Sequence, residues 1–339
     1  RRRLNVLMDG DQPCDGQWNF DVENRLPPPK TGHDQWPTPR TYELDALDQQ
    51  VISDVGENSW GDAPTGVWAT TRDDALQRLN SFVEQILPVF GEHEDAMLNS
   101  NWHLAHSLLS PYLNNGLLLP MEVIRAAELA YRDGHVPINS AEGFIRQILG
   151  WREYIWNCYW RWMPDYAGMN ELQAERDLPR MFLDPDATQM SCMKSVVHNV
   201  QQRSYAHHIE RLMVLGNFSL IAGINPQQLT NWMWENFIDA AEWVMVPNVI
   251  GMSQFADGGM ITTKPYICGS NYLMKMGDFP KGAWQATWDG LFWRFLSKQR
   301  VVFSKNPRWA MLLSTWDKMP EEKRANHLKN AEQFLKALK

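Results

Sequence analysis

The chain has 339 residues, 44% hydrophobic and 21% charged, enough to bury the core of one large helical domain or about two smaller ones. No apolar run approaches the roughly 18 residues of a membrane-spanning helix, and a net charge of -8 sets the whole-chain field against polyanions, so any nucleic-acid contact needs a local basic surface. The four cysteines, Cys14, Cys158, Cys192 and Cys268, form no C-x-x-C pair, which argues against a disulfide framework or a zinc knuckle and fits a reducing compartment.

From Arg1 to about Gly66 the sequence is broken by Asp-Gly steps, Pro27-Pro28-Pro29 and Trp36-Pro37-Thr38-Pro39, with one short helix predicted near Glu43 to Val55. Proline at that density stops helix continuation, so this stretch reads as an extended segment wrapping a body. From Thr71 onward Ala75, Leu76, Leu79, Phe82, Val83, Ile86 and Leu87 recur at helical spacing behind an acidic first turn. Similar stripes predict helices over roughly 102–113, 121–134, 141–163, 190–202, 204–221, 226–240, 288–299, 307–316 and 320–337, and no alternating strand pattern competes with them. Residues 255–265 read as a small hairpin or loop, with Gly258-Gly259 permitting a tight turn. The class predicted is all-α, with a connecting segment over 1–66 and a helical body over 67–339. The basic terminal helix complements its own dipole and reads as solvated.

Seventeen tryptophans are several times the ordinary share, and such enrichment marks aromatic-lined cavities, stacking platforms, redox relays or a large helical core. Four segments carry groups suited to chemistry. Ser107 and Ser110, with Pro111 in a first helical turn, either bind an anion or simply cap the helix. Gln147 and Trp151 lie four apart and share a helix face, offering an amide and an indole to a planar ligand unless Trp151 packs in the core. Adjacent His207 and His208 point about 100° apart on a helix, so one suits a site and the other a packed or surface position, and adjacency argues against a metal pair. Asp239 among Trp232, Trp234 and Trp243 either holds the polar edge of a flavin or ribose or caps an amphipathic helix. No G-x-G-x-x-G, Walker loop, G-x-S-x-G or H-E-x-x-H occurs.

Taken together, HSLLSPYLNNGLL, EGFIRQILGWREY, YAHHIERLMVLGNF, DAAEWVMVPNVIGMSQFADGG and TKPYICGSNYLMKM resemble, in order, the flavin-binding helical half of the cryptochrome/photolyase family and its bacterial (6-4) photolyase branch, from about Trp68 to Arg308. The resemblance implies FAD in an all-helical pocket, touched by Ser107, Leu109, Ser110, Asn114, Arg152, Asp239, Met245 and Asn248. It implies light-driven repair of pyrimidine (6-4) photoproducts in UV-damaged DNA: Gln147 and Trp151 line the mouth where a flipped-out lesion stacks, and His207 or His208 is the proton donor. Trp232 and Trp234 are the expected electron relay. The other reading is a cryptochrome-like photoreceptor without repair activity.

Three departures qualify the resemblance. Of four cysteines expected to bind an iron-sulfur cluster only Cys192 remains, the other positions falling at Asp278 to Ala286, so no cluster is expected; Pro280 and Trp284 are candidates to fill that volume. Met245 stands where the family usually has an acid, and Met233 and Ala241 replace usual tyrosines, which alters the relay. The family's N-terminal α/β domain, with its lumazine antenna, is not expected in these residues. A bacterial cytoplasmic monomer completes the expectation.

Overall fold

A computed structural model describes residues 1–31, 36–56 and 59–338. Among these the structure is helical, its only strands being β1 (Met8–Asp9) and β2 (Gln12–Pro13), paired antiparallel. The all-α class read from the periodicity is therefore observed. No helix of the described residues is long and apolar enough to cross a membrane. The chain divides into two compact units, residues 1–157, 199–207 and 236–241 in the first and 158–198, 208–235 and 242–339 in the second.

In the first unit Gly10, at φ 62°, turns the β1–β2 hairpin, and the backbone N–H of buried Leu7 donates to Glu128 Oε1 at 2.7 Å. α1 (Ala46–Val55) starts in a capping box between Asp45 and Asp48, and α2 (Arg72–Ser81) starts where Thr71 Oγ1 accepts from the Asp74 N–H. α3 (Ser110–Asn115), α4 (Pro120–Arg132), α5 (Ile138–Arg146) and α6 (Glu153–Trp162) follow, with a wide π-helical segment at Gln147–Arg152 joining the last two. Phe82, Phe90 and Phe144 meet ring to ring at 4.7 to 6.3 Å in the core.

α5 also carries a partly buried ion cluster. Arg146 Nε lies 3.3 Å from Glu142 Oε1, its Nη2 donates to Asp21, and burial pushes the Glu142 carboxyl up against the pull of Arg146. The same guanidinium holds Asp21 below the usual carboxylate range. Removing the cation leaves Glu142 buried and uncompensated, so Arg146→Met is expected to cost about 3 kcal/mol in unfolding at neutral pH. The sign follows from both acids: protonation relieves Glu142 and removes the advantage of Asp21, so the defect shrinks as pH falls through the carboxylate range. Thermal unfolding of both proteins across that range checks it; a pH-independent loss would assign the effect to packing alone.

The second unit holds part of α7 (Ser191–Arg203), then α8 (His208–Glu210), α9 (Asn217–Ala222), α10 (Pro226–Asn236), α11 (Glu242–Val246), α12 (Ser270–Met276), α13 (Trp284–Lys298), α14 (Arg300–Phe303), α15 (Ala310–Lys318) and α16 (Glu321–Ala337). π-helical segments at Arg211–Gly216 and Pro247–Ser253 interrupt the regular ladder. α13 and α16 approach closely because Gly290 has no side chain: a Cβ there would sit 2.7 Å from the His327 carbonyl oxygen. Phe218 packs against both helices, 6.1 Å from Trp288 and 6.2 Å from Phe334.

Two predicted helices differ, and one of the two readings of 255–265 is observed. The helix expected over 102–113 is only Ser110–Asn115, because the chain ahead of it turns through left-handed Leu104 and Leu108. The one expected over 204–221 begins at His208, because Ser204 at φ 52° breaks it from α7. The stretch 255–265 is a loop rather than a hairpin, wound on Asp257, which accepts from the Tyr166 hydroxyl at 2.7 Å and from the Gly259 and Ile261 N–H groups, both at 2.9 Å.

Candidate functional site

The first unit gathers most of the candidate residues. Asn101 Oδ1 accepts from the N–H groups of His103 and Leu104, at 3.2 and 2.7 Å, and starts a tight turn. Leu104 at φ 42° and Leu108 at φ 57° then carry the chain through left-handed backbone that leucine ordinarily avoids. Ser107 Oγ accepts from the Leu109 N–H at 3.3 Å, and α3 opens at Ser110 with Pro111 in its first turn. Ser107 therefore acts as a local backbone cap. Ser107 and Ser110 are half-buried, and Leu109 is buried.

Asn114, near the end of α3, ties three distant segments together. Its amide nitrogen donates to the Asp239 carbonyl oxygen at 2.7 Å, and its Oδ1 accepts from Arg152 Nη1 at 2.6 Å. Arg152 Nη2 also donates to the Leu113 carbonyl at 3.1 Å. Burial pushes the Arg152 guanidinium down, the cost of holding a charge away from water. Asp239 is itself 6% exposed. A half-buried cation and amide beside a buried acid offer donors to a phosphate and an acceptor to a polar ring edge.

The π-helical segment holds Gln147 and Trp151. Gln147 is half-buried, and its Nε2 donates to the Gly143 carbonyl at 3.0 Å. Trp151 is 37% exposed and lies edge-on to Tyr154, ring centroids 5.9 Å apart. Exposure on that scale removes the core-packing reading of Trp151 and leaves an indole open to a stacking partner.

His207 and His208 are sharply different. His207 is 0% exposed, and its ring stacks on His106 with centroids 4.2 Å apart and planes 11° from parallel. His208, the next residue, is exposed at the start of α8. His106 was not among the residues the sequence singled out. Its only signal was its place beside Ser107, since a lone histidine in an apolar stretch is usually structural.

The remaining candidates lie in the second unit. Trp232 is buried, with Nε1 donating to the Phe182 carbonyl at 3.0 Å and its ring edge-on to Phe182, while Trp234, two positions on, is exposed. Met245 is buried and Asn248 is half-buried, its Nδ2 donating to the Val244 carbonyl at 2.7 Å. Cys192 is fully enclosed, and burial pushes its thiol up to about 12. Ser191 Oγ donates to the Pro280 carbonyl at 3.1 Å, and Trp284 Nε1 donates to the same oxygen at 2.9 Å. Trp284 and Phe279 are buried beside that loop, whereas Pro280 is exposed.

Residues 1–66 match the family model described as deoxyribodipyrimidine photo-lyase-related protein. Over 352 aligned residues the chain is 42% identical to the (6-4) photolyase of Agrobacterium fabrum, covering 100% of this chain and 69% of that protein. It is 39% identical over 127 residues to an uncharacterized protein of Acanthamoeba polyphaga mimivirus, 37% of this chain and all of that one. Among solved structures, a bacterial class III photolyase from Agrobacterium tumefaciens superposes with a TM-score of 0.54 at 17% identity, covering 84% of this chain. The chain spans 61% of the length of that photolyase.

Proposed function

The chain belongs to the deoxyribodipyrimidine photo-lyase-related family, and from that premise we propose that it is an FAD-dependent, blue-light-driven enzyme repairing pyrimidine (6-4) photoproducts in DNA. The observation that carries the reading is the hydrogen-bonded group Asp239–Asn114–Arg152, which joins three of the segments that resemble the flavin-binding half of the family. Asn114, Arg152 and Asp239 would hold the cofactor, with the turn leading into α3 at Ser107, Leu109 and Ser110 against its pyrophosphate. Bound there, FAD would supply one-electron chemistry under light.

The chain's own residues supply position and a proton. Trp151 offers its open face to a base swung out of the helix, and the half-buried Gln147 amide meets a polar base edge. His208 is the proton donor: it is exposed, so an incoming lesion reaches its ring, whereas His207 beside it is fully enclosed. The donated proton assists transfer of an oxygen from one base of the lesion to the other. Incubating the reduced protein with (6-4)-lesion DNA under blue light tests the reading. Lesion loss with turnover is expected; a lesion that persists beside fully reduced flavin would overturn it. Buried Met245, a thioether at a position usually acidic in the family, then favours the photoreceptor reading.

No iron-sulfur cluster is part of this proposal. Cys192 offers one enclosed thiol held protonated by burial, and the neighbouring volume contains Phe279 and Trp284. Iron and acid-labile sulfide in the purified protein are expected below stoichiometric amounts; four irons per chain would refute this.

A further inference from the structure

The His106–His207 stack is not needed to hold a flavin or to deliver a proton from His208, yet it is one of the most constrained features of the first unit. His106 Nδ1 faces the His103 carbonyl oxygen at 3.1 Å, and its Nε2 faces the Glu94 carbonyl oxygen at 3.1 Å. A neutral imidazole donates from one nitrogen and an imidazolium from both. With an oxygen on each side, the ring is held by at least one donated bond in every protonation state. The backbone around it is held just as firmly: Leu104 and Leu108, two residues either side of His106, both occupy left-handed conformations. Such strain persists only where the surroundings overdetermine it, and it concentrates where a side chain must be aimed.

The partner ring lies on a segment with little structure of its own. Between the end of α7 and His208 the chain passes through left-handed Ser204, whose carbonyl accepts from the Ile238 N–H at 2.8 Å. Tyr205 packs on Trp68, 5.3 Å between centroids, and His207 packs flat on His106. Ring contacts therefore fix the two residues flanking Ala206.

We propose that His106 is a positioning residue for His207: a ring held between two carbonyl oxygens sets the plane of the imidazole stacked on it. Its effect on repair rests on the assignment of His208 as the proton donor, but its central claim concerns the protein alone. His106 touches no reacting atom in this scheme.

Two variants separate the clamp from the stack. His106→Phe keeps a flat ring over His207 and loses both carbonyl contacts; His106→Gln keeps a donor and loses the ring. In histidine-labelled protein, the ring ¹⁵N and ¹³C signals of His207 are expected to shift or broaden in both variants, with circular dichroism unchanged. Single-turnover repair in His106→Phe is expected to fall by about 10²-fold with lesion affinity held within a few-fold, the signature of a misaimed group. Unchanged His207 signals in both folded variants would overturn the proposal. If the unmodified protein repairs nothing while its His207 signals still respond, the repair reading fails and the positioning claim stands. If either variant fails to fold, the other and the temperature dependence of the His207 signals in the unmodified protein decide: an immobile ring supports the clamp, and a ring that reorients freely refutes it.

Discussion

His208→Ala is expected to lower light-driven repair by about 10²- to 10⁴-fold, the range supplied by a positioned general acid, while leaving flavin content and lesion affinity nearly unchanged. A proton donor must come within hydrogen-bond distance of the atom it serves, and the lesion arrives from solvent. His208 is exposed at the first position of α8, whereas His207 has no exposed surface and its ring is covered by His106. Single-turnover repair of a (6-4)-lesion oligonucleotide under saturating light, with the flavin fully reduced, isolates the chemical step from photoreduction. His207→Ala is expected to act more weakly, because it disturbs aim and removes no donated proton. If the order is reversed, with His207→Ala abolishing repair and His208→Ala tolerated, the acid is His207 and the buried ring must become accessible when DNA binds.

Loss of Asn114 is expected to be the most damaging change to cofactor retention. Its amide links the Asp239 carbonyl to the Arg152 guanidinium, and the two bonds differ in character. One is an ordinary amide bond and the other is charge-assisted, together worth roughly 3 kcal/mol, or about 10²-fold in FAD affinity if both serve to shape the site. Asn114→Ala removes both. Asn114→Asp keeps an acceptor for Arg152 and places an oxygen against the Asp239 carbonyl, so only one of the two contacts survives. FAD retained per chain after gel filtration is expected to fall in the order wild type, Asn114→Asp, Asn114→Ala. The melting temperatures of the flavin-free proteins should stay close together, since Asn114 is half-buried and lies near a helix end. Equal flavin content in all three would detach this group from the cofactor.

Much of the molecule was legible before any coordinates. Apolar spacing at three and four residues placed most helices, because burying one face of a helix leaves its period in the sequence. The succession of five motifs identified the family. Asn114, Arg152 and Asp239 were named from those motifs, yet the hydrogen bonds that join them cross up to 125 positions of sequence and leave no local trace.

Tertiary structure alone decided the rest. Left-handed Leu104, Leu108 and Ser204 defeated the helices predicted over 102–113 and 204–221, since nothing in a leucine or a serine announces a positive φ imposed by its neighbours. The wide turn at Gln147–Arg152 belongs to the same class, because a π-helical insertion hardly disturbs the apolar pattern. Spacing could say that His207 and His208 face different ways; only packing showed that His207 is sealed under His106 and His208 is open. The sequence determined which side chains were available and which helices they ride on. Which of them are buried, aimed or exposed was settled by long-range contacts, because desolvation and ring stacking depend on neighbours that the chain brings together only when folded.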